Sequence, residues 1–186
     1  MSPQKNLRKN NARKVLLGVC GSIAAYKACE IIRRLRGTGC EVRCIITGGG
    51  KKFITPLTLG ELSGNAVYSE MFPENISYDA HHVALSGWAD VILIAPASAN
   101  TIAKIANGIA DNLLTAAIMA SEAPVIVCPA MNVNMWNHPA NSANVERLKK
   151  FGYHFVGPED GELSCGKTGK GRLAETAEII KKVLSV

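Results

Sequence analysis

Asp90 to Thr115 reads DVILIAPASANTIAKIANGIADNLLT, and this stretch decides the fold. It opens with four consecutive apolar residues, Val91–Ile94, which are typical of a parallel strand covered by helices on both faces. The run stops at Pro96, and the polar segment Ser98–Thr101 follows before apolar residues return at near-helical spacing. Open α/β sheets bind ligands where a strand ends and a helix begins. A simple serine N-cap on a structural helix is the alternative interpretation.

Length and composition indicate one globular domain. The chain has 186 residues, of which 47% are hydrophobic and 19% are charged, and a chain of this length can bury a sizeable core. No apolar run approaches the ~20 residues of a membrane helix, and the N-terminal segment lacks the apolar region of a secretory signal. We therefore predict no membrane partner and a cytoplasmic location.

The formal net charge of +6 is concentrated at the N-terminus. Residues 1–14 contain five basic residues and no acidic one, so the remainder carries about +1. We expect residues 1–13 to form a basic, flexible tail and residues 14–186 to form the folded domain. Because nucleic-acid binding requires a basic stripe on the folded part, no nucleic-acid partner is predicted.

The six cysteines form no metal or redox motif. The absence of a C-x-x-C pair argues against a zinc ribbon and a thioredoxin site, so no metal site is predicted. Cys20, Cys40, Cys44 and Cys128 fall in apolar, strand-like contexts, whereas Cys165 lies in a glycine-rich polar segment. We expect free thiols in a reducing compartment, with Cys165 as the exposed one.

Strands alternate with helices along the rest of the chain. Besides the strand at residue 91, strands are predicted at 14–20, 41–47, 124–128 and 153–156, and the longer helices at 29–35, 111–120, 141–151 and 173–184. A shorter helix is predicted at 79–87, an irregular segment at 65–79, and a loop with five glycines at 157–172. The alternation predicts a single α/β domain with a three-layer, doubly wound, Rossmann- or flavodoxin-like sheet that is mostly parallel.

Four polar segments follow the ends of predicted strands: Gly21–Ser22, Thr47–Gly49, Ser98–Thr101 and Met131–Asn132. The carboxyl ends of parallel strands share one edge of a sheet, so these segments are expected to line one crevice. The sequence GVCGS at residues 18–22 lacks the glycine spacing of a dinucleotide fingerprint. A mononucleotide or flavin phosphate therefore fits better than NAD.

Three motifs resemble those of the homo-oligomeric flavin-containing cysteine decarboxylases. They are PASANT at 96–101, PAMNVNMW at 129–136, and a histidine two turns before WAD at 88–90. The resemblance covers about residues 14–175 and is strongest to the branch that decarboxylates 4'-phosphopantothenoylcysteine to 4'-phosphopantetheine in coenzyme A biosynthesis. It implies a lyase with FMN at the subunit interface of a homotrimer or dodecamer, and phosphopantothenoylcysteine as the small-molecule partner.

The resemblance also implies roles for individual residues. His82 occupies the position of the catalytic base, Cys165 that of a proton donor, and Asn132 with Met131 that of the substrate-binding residues. The implied FMN-binding residues follow four different strands: Gly21, Ser22, Ile23, Thr47, Gly48, Gly49, Phe53, Ser98, Ala99, Asn100, Thr101 and Ala130.

The implied reaction needs a redox cofactor because the carboxylate of a cysteine residue has no electron sink. Oxidation of the carbon next to sulfur gives a thioaldehyde, from which CO2 leaves to form an ene-thiolate. Re-reduction with a proton from Cys165 gives the product, and His82 would handle a proton during the first half.

Each implied catalytic residue has an ordinary structural alternative. A lone histidine is often a surface or capping group, Asn132 could be a turn residue, and Cys165 could be an unreactive loop thiol. The chain also departs from the family pattern at Lys167, where an acidic residue is usual, and in its glycine-rich loop at 48–50. Many bacterial versions are fused to a ligase, so we expect either a stand-alone enzyme or a fragment of such a fusion.

Three other functions match parts of the sequence. Residues 161–168, GELSCGKT, satisfy the P-loop pattern, but Pro158 separates them from a strand and Gly169 and Gly171 would break a following helix. A peptidyl-cysteine decarboxylase, which leaves a C-terminal ene-thiol on a ribosomal peptide, is closer, although Cys165 argues against it. A non-catalytic flavoprotein or regulatory subunit of the same fold is the third alternative.

Overall fold

A six-stranded parallel sheet forms the centre of the computed structural model, which describes residues 12–72, 80–162, 166 and 168–186. Its strands are β1 (Lys14–Val19), β2 (Glu41–Ile46), β3 (Val67–Tyr68), β4 (Val91–Ala97), β5 (Val125–Pro129) and β6 (His154–Phe155). Their order in the sheet is β3-β2-β1-β4-β5-β6, which is the order of doubly wound nucleotide-binding folds. The predicted α/β fold is confirmed.

Helices cover both faces of this sheet. They are α1 (Ala28–Gly37), α2 (Pro56–Ser63), α3 (His81–Trp88), α4 (Ala99–Ala106), α5 (Leu113–Met119), α6 (Val133–Trp136), α7 (Pro139–Lys150) and α8 (Thr176–Ser185). The side chains of α1, α2 and α8 join the apolar cluster on one face, and those of α3, α4, α5 and α7 join the cluster on the other. The predicted three layers are therefore present.

Strand β4 lies at the centre of both clusters. Every residue from Val91 to Ala97 is buried, with Leu93 in one cluster and Ile92 and Ile94 in the other. Each such side chain contributes about 1.5–3 kcal/mol by leaving water. The unbroken apolar run therefore predicted its environment correctly, although the strand continues through Pro96, after a cis peptide bond, instead of ending there.

Local capping determines where two of the helices begin. The hydroxyl of Thr55 accepts the N–H of Thr58 at 3.2 Å, and Pro56 takes the first position of α2. The Asn112 side chain and the Thr115 hydroxyl accept each other's backbone N–H at 3.1 and 3.3 Å. This capping box starts α5 two residues later than the predicted helix at 111.

Two predictions of irregular structure were wrong. Strand β3 lies within the segment predicted to be irregular, where it pairs with the edge of β2. The predicted loop at 157–172 contains an antiparallel hairpin of β7 (Glu159–Glu162) and β8 (Thr168–Arg172). Its glycines and charged residues have low strand propensity, so the hairpin depends on its tertiary contacts. Because strand β8 follows the P-loop-like pattern where a helix would be needed, that pattern does not mark a nucleotide-binding loop.

A membrane-spanning helix and a metal site, neither of which the sequence predicts, can be assessed only in the described residues. Within the described ranges, none of the helices has both the length and the apolar character to cross a membrane. No grouping of histidine, cysteine and acidic side chains in the same ranges could hold a metal ion. Residues 1–11, which make up most of the predicted tail, lie outside the described part of the chain.

The turn after β2 allows a direct test of the fold. A Cβ atom on the buried Gly50 would lie 2.6 Å from the carbonyl oxygen of Val19 and 2.8 Å from Ile46 Cγ1. The Gly50→Ala substitution must therefore displace the backbone of β1, and we expect the free energy of unfolding to fall by about 1–3 kcal/mol. Equilibrium urea denaturation followed by circular dichroism measures this change.

Gly48→Ala is the matched control, because a Cβ at Gly48 meets nothing within 4 Å. Its free energy of unfolding should stay within about 0.5 kcal/mol of the wild-type value. If both variants lost the same free energy of unfolding, a clash between the added Cβ at residue 50 and the Val19 carbonyl oxygen could not be the cause.

Candidate functional site

A crevice of about 830 Å³ opens at the carboxyl ends of β1 and β4. The strand order reverses between these two strands, because the chain continues from β1 to β2 on one side and from β4 to β5 on the other. Loops that leave such a pair diverge and leave room for a ligand. The volume lies within the ~300–1,000 Å³ typical of small-molecule sites.

The structure brings eight of the predicted site residues together along this crevice. They follow β1, β4 and β5, and are Gly21, Ser22, Ile23, Ser98, Ala99, Ala130, Met131 and Asn132. The expectation that polar segments after different strands meet at one edge is therefore correct for three of the four segments.

The segment after β2 supports the crevice from behind. A Cβ on Gly21 would lie 3.1 Å from the Cα of Gly49, so the two loops touch backbone to backbone. The Thr47 hydroxyl donates to the Val19 carbonyl at 3.3 Å and accepts the Gly50 N–H at 3.1 Å, which ties the loop to β1. Thr47, Gly48, Gly49 and Phe53 do not line the crevice.

Ser98 caps α4, as its structural alternative predicted, and it also lines the crevice. Its hydroxyl accepts the Thr101 N–H at 3.3 Å and lies 3.2 Å from the Thr101 hydroxyl. Thr101 is only 4% exposed and supports the turn from below, whereas Asn100 is exposed and does not line the crevice. The N-terminus of α4 therefore borders the crevice, where unpaired backbone N–H groups favour an anion.

Cys20 lies beneath this turn and is structural. Burial raises the pKa of its thiol, although hydrogen bonding to the Thr101 side chain and to the Ser98 backbone acts in the opposite direction. The thiol therefore stays protonated at neutral pH, and it links the end of β1 to the start of α4.

The segment after β5 is fixed by two backbone hydrogen bonds and by one side-chain cap. The Ala130 N–H donates to the Ala97 carbonyl at 3.1 Å, and the Met131 N–H donates to the Gly171 carbonyl of β8 at 3.0 Å. Asn132 caps α6, because its Oδ1 accepts the Asn134 N–H at 2.8 Å. Asn132 is thus a capping residue, as its structural alternative predicted, and it also lines the crevice.

The hairpin β7–β8 forms one wall of the crevice through Glu162, Gly166, Gly171 and Arg172. Sequence reasoning missed this wall because it predicted a loop here. Cys165 stands in the sequence between Glu162 and Gly166, but Cys165 and Lys167 lie outside the described residues.

A network of charges fixes the base of this hairpin. Arg172 Nη2 donates to Glu159 at 3.2 Å and to Glu175 at 2.6 Å. The backbone N–H of Glu175 donates to the Glu159 carboxylate at 2.9 Å. This N–H, followed by the charges of Arg172 and Lys27, lowers the pKa of Glu159 below its usual value. The carboxylate is therefore ionised at neutral pH.

His82 lies apart from the crevice of its own chain. It is half-buried in the first turn of α3 and is not a lining residue. The ring of its neighbour His81 meets Tyr68 edge-on at 5.3 Å, and the Arg43 guanidinium lies 4.3 Å from the Trp88 ring at the other end of α3. These contacts fix α3 over the sheet, and Asn132 lines the crevice whereas His82 does not.

Five further lining residues were not predicted as site residues: Ala24, Tyr26, Lys27, Met135 and Leu173. The segment from Ile23 to Lys27 forms a 3₁₀ turn capped by Ser22, whose hydroxyl accepts the Ala24 N–H at 3.3 Å. Side chains three residues apart align in a 3₁₀ turn, so Ile23 and Tyr26 share a face. The glycine-serine turn in the sequence marked the start of this segment but gave no sign of its 3₁₀ geometry.

Comparison with known proteins gives consistent matches. A family model described as Flavoprotein matches residues 3–186. The chain is 44% identical over 173 residues to a probable phosphopantothenoylcysteine decarboxylase from Streptococcus mutans, covering 92% of this chain and 97% of the relative. It is 46% identical over 171 residues to the coenzyme A biosynthesis bifunctional protein CoaBC from Bacillus subtilis, covering 92% of this chain but only 42% of that longer protein.

A solved structure is similar over nearly its whole length. It is a cysteine-to-serine mutant of PPC decarboxylase complexed with pantothenoylaminoethenethiol, which superposes with a TM-score of 0.81 at 34% sequence identity. The match covers 93% of this chain and 97% of that structure.

Replacing Ser98 with alanine tests the turn at the start of α4. The variant loses the acceptor for the Thr101 N–H, and we expect the free energy of unfolding to fall by about 1 kcal/mol, as for other lost N-caps. Ser142→Ala, at an exposed site on α7, makes the same chemical change without removing a cap and should cost less than about 0.5 kcal/mol. Chemical denaturation of both variants checks this, and a Ser98 variant as stable as the Ser142 control would contradict the capping role.

Proposed function

The chain belongs to the Flavoprotein family, and on that premise we propose that it is an FMN-dependent decarboxylase that converts 4'-phosphopantothenoylcysteine to 4'-phosphopantetheine in coenzyme A biosynthesis. The observation that carries the proposal is the meeting of Ser98, Ala130 and Asn132 along one crevice at the reversal of strand order. The relative from Streptococcus mutans, matched over 97% of its length, supports the assignment. The second activity of the longer bifunctional relatives is not proposed for this chain.

The crevice suits FMN. Its floor has no side chain where Gly21 and Gly49 touch, which permits close approach of a flat ring system. Ser22, Ser98 and the N-terminus of α4 supply hydroxyl and N–H groups for a phosphate. We infer that the segments 21–23 and 98–101 and Ala130 hold FMN, with 47–49 supporting the first of these segments from behind. The role of Phe53 rests on the family resemblance alone. When bound, FMN supplies the oxidation of the carbon next to sulfur and the later return of the two electrons.

Asn132 is proposed to hold the substrate carboxylate next to Met131. Its Oδ1 accepts the Asn134 N–H at 2.8 Å, so the Nδ2 group is the part of the amide that can donate to a carboxylate. Because Asn132 caps α6 and Met131 is bonded to β8, both residues are held by backbone contacts. This positioning would orient the carboxylate that leaves as CO2.

Cys165 is proposed to protonate the ene-thiolate. Glu162 and Gly166, the described residues nearest to Cys165 in the sequence on either side, both line the crevice, and this supports the proposal. The similar structure supports this role, because a cysteine-to-serine mutant of that enzyme is complexed with an ene-thiol. A peptidyl-cysteine decarboxylase stops at the ene-thiol and needs no such donor.

His82 is proposed to act in the crevice of a second copy of the chain. It does not line the crevice of its own chain, and exposed apolar side chains lie near both regions. Ile23 and Tyr26 are 56% and 61% exposed at the crevice, and Val83, next to His82, is 55% exposed. Two different apolar surfaces that pair head to tail close into a ring. With the family resemblance giving the number of chains, we propose a homotrimer, or a dodecamer built from four trimers, with FMN at the interface.

A reducing compartment agrees with the cysteines. Cys20, Cys29, Cys40, Cys44 and Cys128 are all free thiols, as is usual where disulfides do not persist. We propose the cytoplasm as the site of action.

Product analysis of a Cys165→Ser variant tests the proposed chemistry. The purified wild-type protein should be yellow and should release one CO2 and one 4'-phosphopantetheine per substrate. The variant should still release CO2 but should accumulate the ene-thiol, because the proton donor is missing. Mass spectrometry distinguishes the two products by two hydrogen atoms.

The controls for this test separate the alternatives. Cys29→Ser replaces a partly exposed thiol that does not line the crevice and should behave as the wild type. An ene-thiol accumulating from the wild-type protein would favour the peptide-modifying alternative. A yellow wild-type protein that releases no CO2 would favour the non-catalytic one.

Mixing two inactive variants tests whether His82 acts across an interface. His82→Gln and Cys165→Ser should each fail to make phosphopantetheine alone. Co-expressed in equal amounts, they should regain about a quarter of wild-type activity. A site is intact only when the chain that forms the crevice keeps Cys165 and its neighbour keeps His82, and each of these has a chance of about one half. Light scattering should give a mass of three or twelve chains of 19.8 kDa. A monomer, or no regained activity in a confirmed mixed oligomer, would contradict the shared site.

A further inference from the structure

Lys27 differs from the other charged side chains that line the crevice. These side chains are Lys27, Glu162 and Arg172. The Arg172 guanidinium is neutralised by Glu159 at 3.2 Å and Glu175 at 2.6 Å. Within the described part of the chain, the Lys27 ammonium makes no ion pair and no hydrogen bond. Its charge acts on the Glu159 carboxylate without direct contact, which helps to lower the pKa of that group, so the Lys27 ammonium can still meet an anionic ligand in the crevice.

The backbone holds Lys27 at this position. It ends the 3₁₀ turn that follows β1, and Ser22 caps the start of that turn. Ala25 within the turn is fully buried, and the N–H of Ala28 donates back to the carbonyl of Ala25. Lys27 itself is half-buried at the crevice. The position of the side chain thus depends on a fixed turn, while its charged end can meet a ligand.

The proposed reactants carry more anionic groups than the site residues named so far can hold. Asn132 accounts for the carboxylate of the cysteine end. Ser22, Ser98 and the N-terminus of α4 account for a phosphate on the cofactor. The terminal phosphate monoester of the substrate has no cation assigned to it. Lysine binds phosphate as a compact point charge with three donors, so Lys27 matches the chemistry that remains.

We propose that Lys27 binds the terminal phosphate monoester of the substrate and so selects phosphorylated over unphosphorylated pantothenoyl compounds. This inference rests on the proposed function for the identity of the substrate. The FMN phosphate offers the same chemistry, and the measurements below distinguish these two sources.

Calorimetry with the reaction product gives a test that does not depend on turnover. The FMN-loaded protein is titrated with 4'-phosphopantetheine and, separately, with pantetheine, which lacks the phosphate. We expect the wild type to bind the phosphorylated compound about 10- to 100-fold more tightly, as for a charged hydrogen bond. The Lys27→Gln variant should lose this preference while its affinity for pantetheine stays unchanged, and raising the salt concentration should weaken the wild-type preference.

Two further variants control for charge. Lys27→Arg keeps the positive charge and should retain most of the preference. Lys181→Gln makes the same change in net charge on α8, at an exposed residue that does not line the crevice, and should behave as the wild type.

The possible outcomes separate the phosphate sources. A Lys27→Gln variant with wild-type preference for the phosphorylated product overturns the proposal. If that variant also binds FMN more weakly than the wild type, the cofactor phosphate is the ligand instead. The wild type could prefer 4'-phosphopantetheine over pantetheine and lose this preference in Lys27→Gln, yet never release CO2 from the substrate. In that case the proposed function fails and the phosphate site stands.

Discussion

The reversal of strand order between β1 and β4 is the constraint on which the rest of the molecule depends. Two neighbouring parallel strands must send their connections to opposite sides of the sheet, so no loop can fill the space between them. The crevice of about 830 Å³ lies there. The apolar sequence of β4 makes this arrangement stable, because residues 91–97 are buried from both faces. The polar turn at Ser98 is thereby fixed at the open edge.

Backbone contacts, more than side-chain contacts, shape the crevice. Gly21 and Gly49 meet without side chains between them, Thr47 bonds the second loop to β1, and Met131 bonds to the hairpin wall through Gly171. Ser98 and Asn132 spend part of their hydrogen-bonding capacity on helix caps. At both residues a helix cap therefore fixes the side chain at the edge of the crevice.

The sequence predicted the sheet and its edge well because these follow from local patterns. Apolar runs locate β1, β4 and β5, and polar residues after them locate the crevice. The hairpin β7–β8 was missed because glycine and charged residues form strands there only through tertiary contacts, such as the bond from Met131 to Gly171. The place of Lys27 on the crevice could not be read from the sequence, since it depends on the 3₁₀ turn that follows β1. The distance of His82 from the crevice is likewise a property of the folded chain alone, and the roles of His82, Asn132 and Cys165 stay predictions.

In the proposed site, the turns after β1 and β4 bind the cofactor, Asn132 binds the carboxylate and Lys27 binds the far phosphate. Cys165 and the His82 of a second copy transfer protons. The first of these tasks is the premise of the others. A crystal structure of the protein with FMN tests it most directly. The account predicts one flavin per chain in the crevice, with its phosphate beside Ser22 and Ser98 and its ring against Gly21. A flavin bound elsewhere, or a protein that binds no FMN in solution, would contradict it.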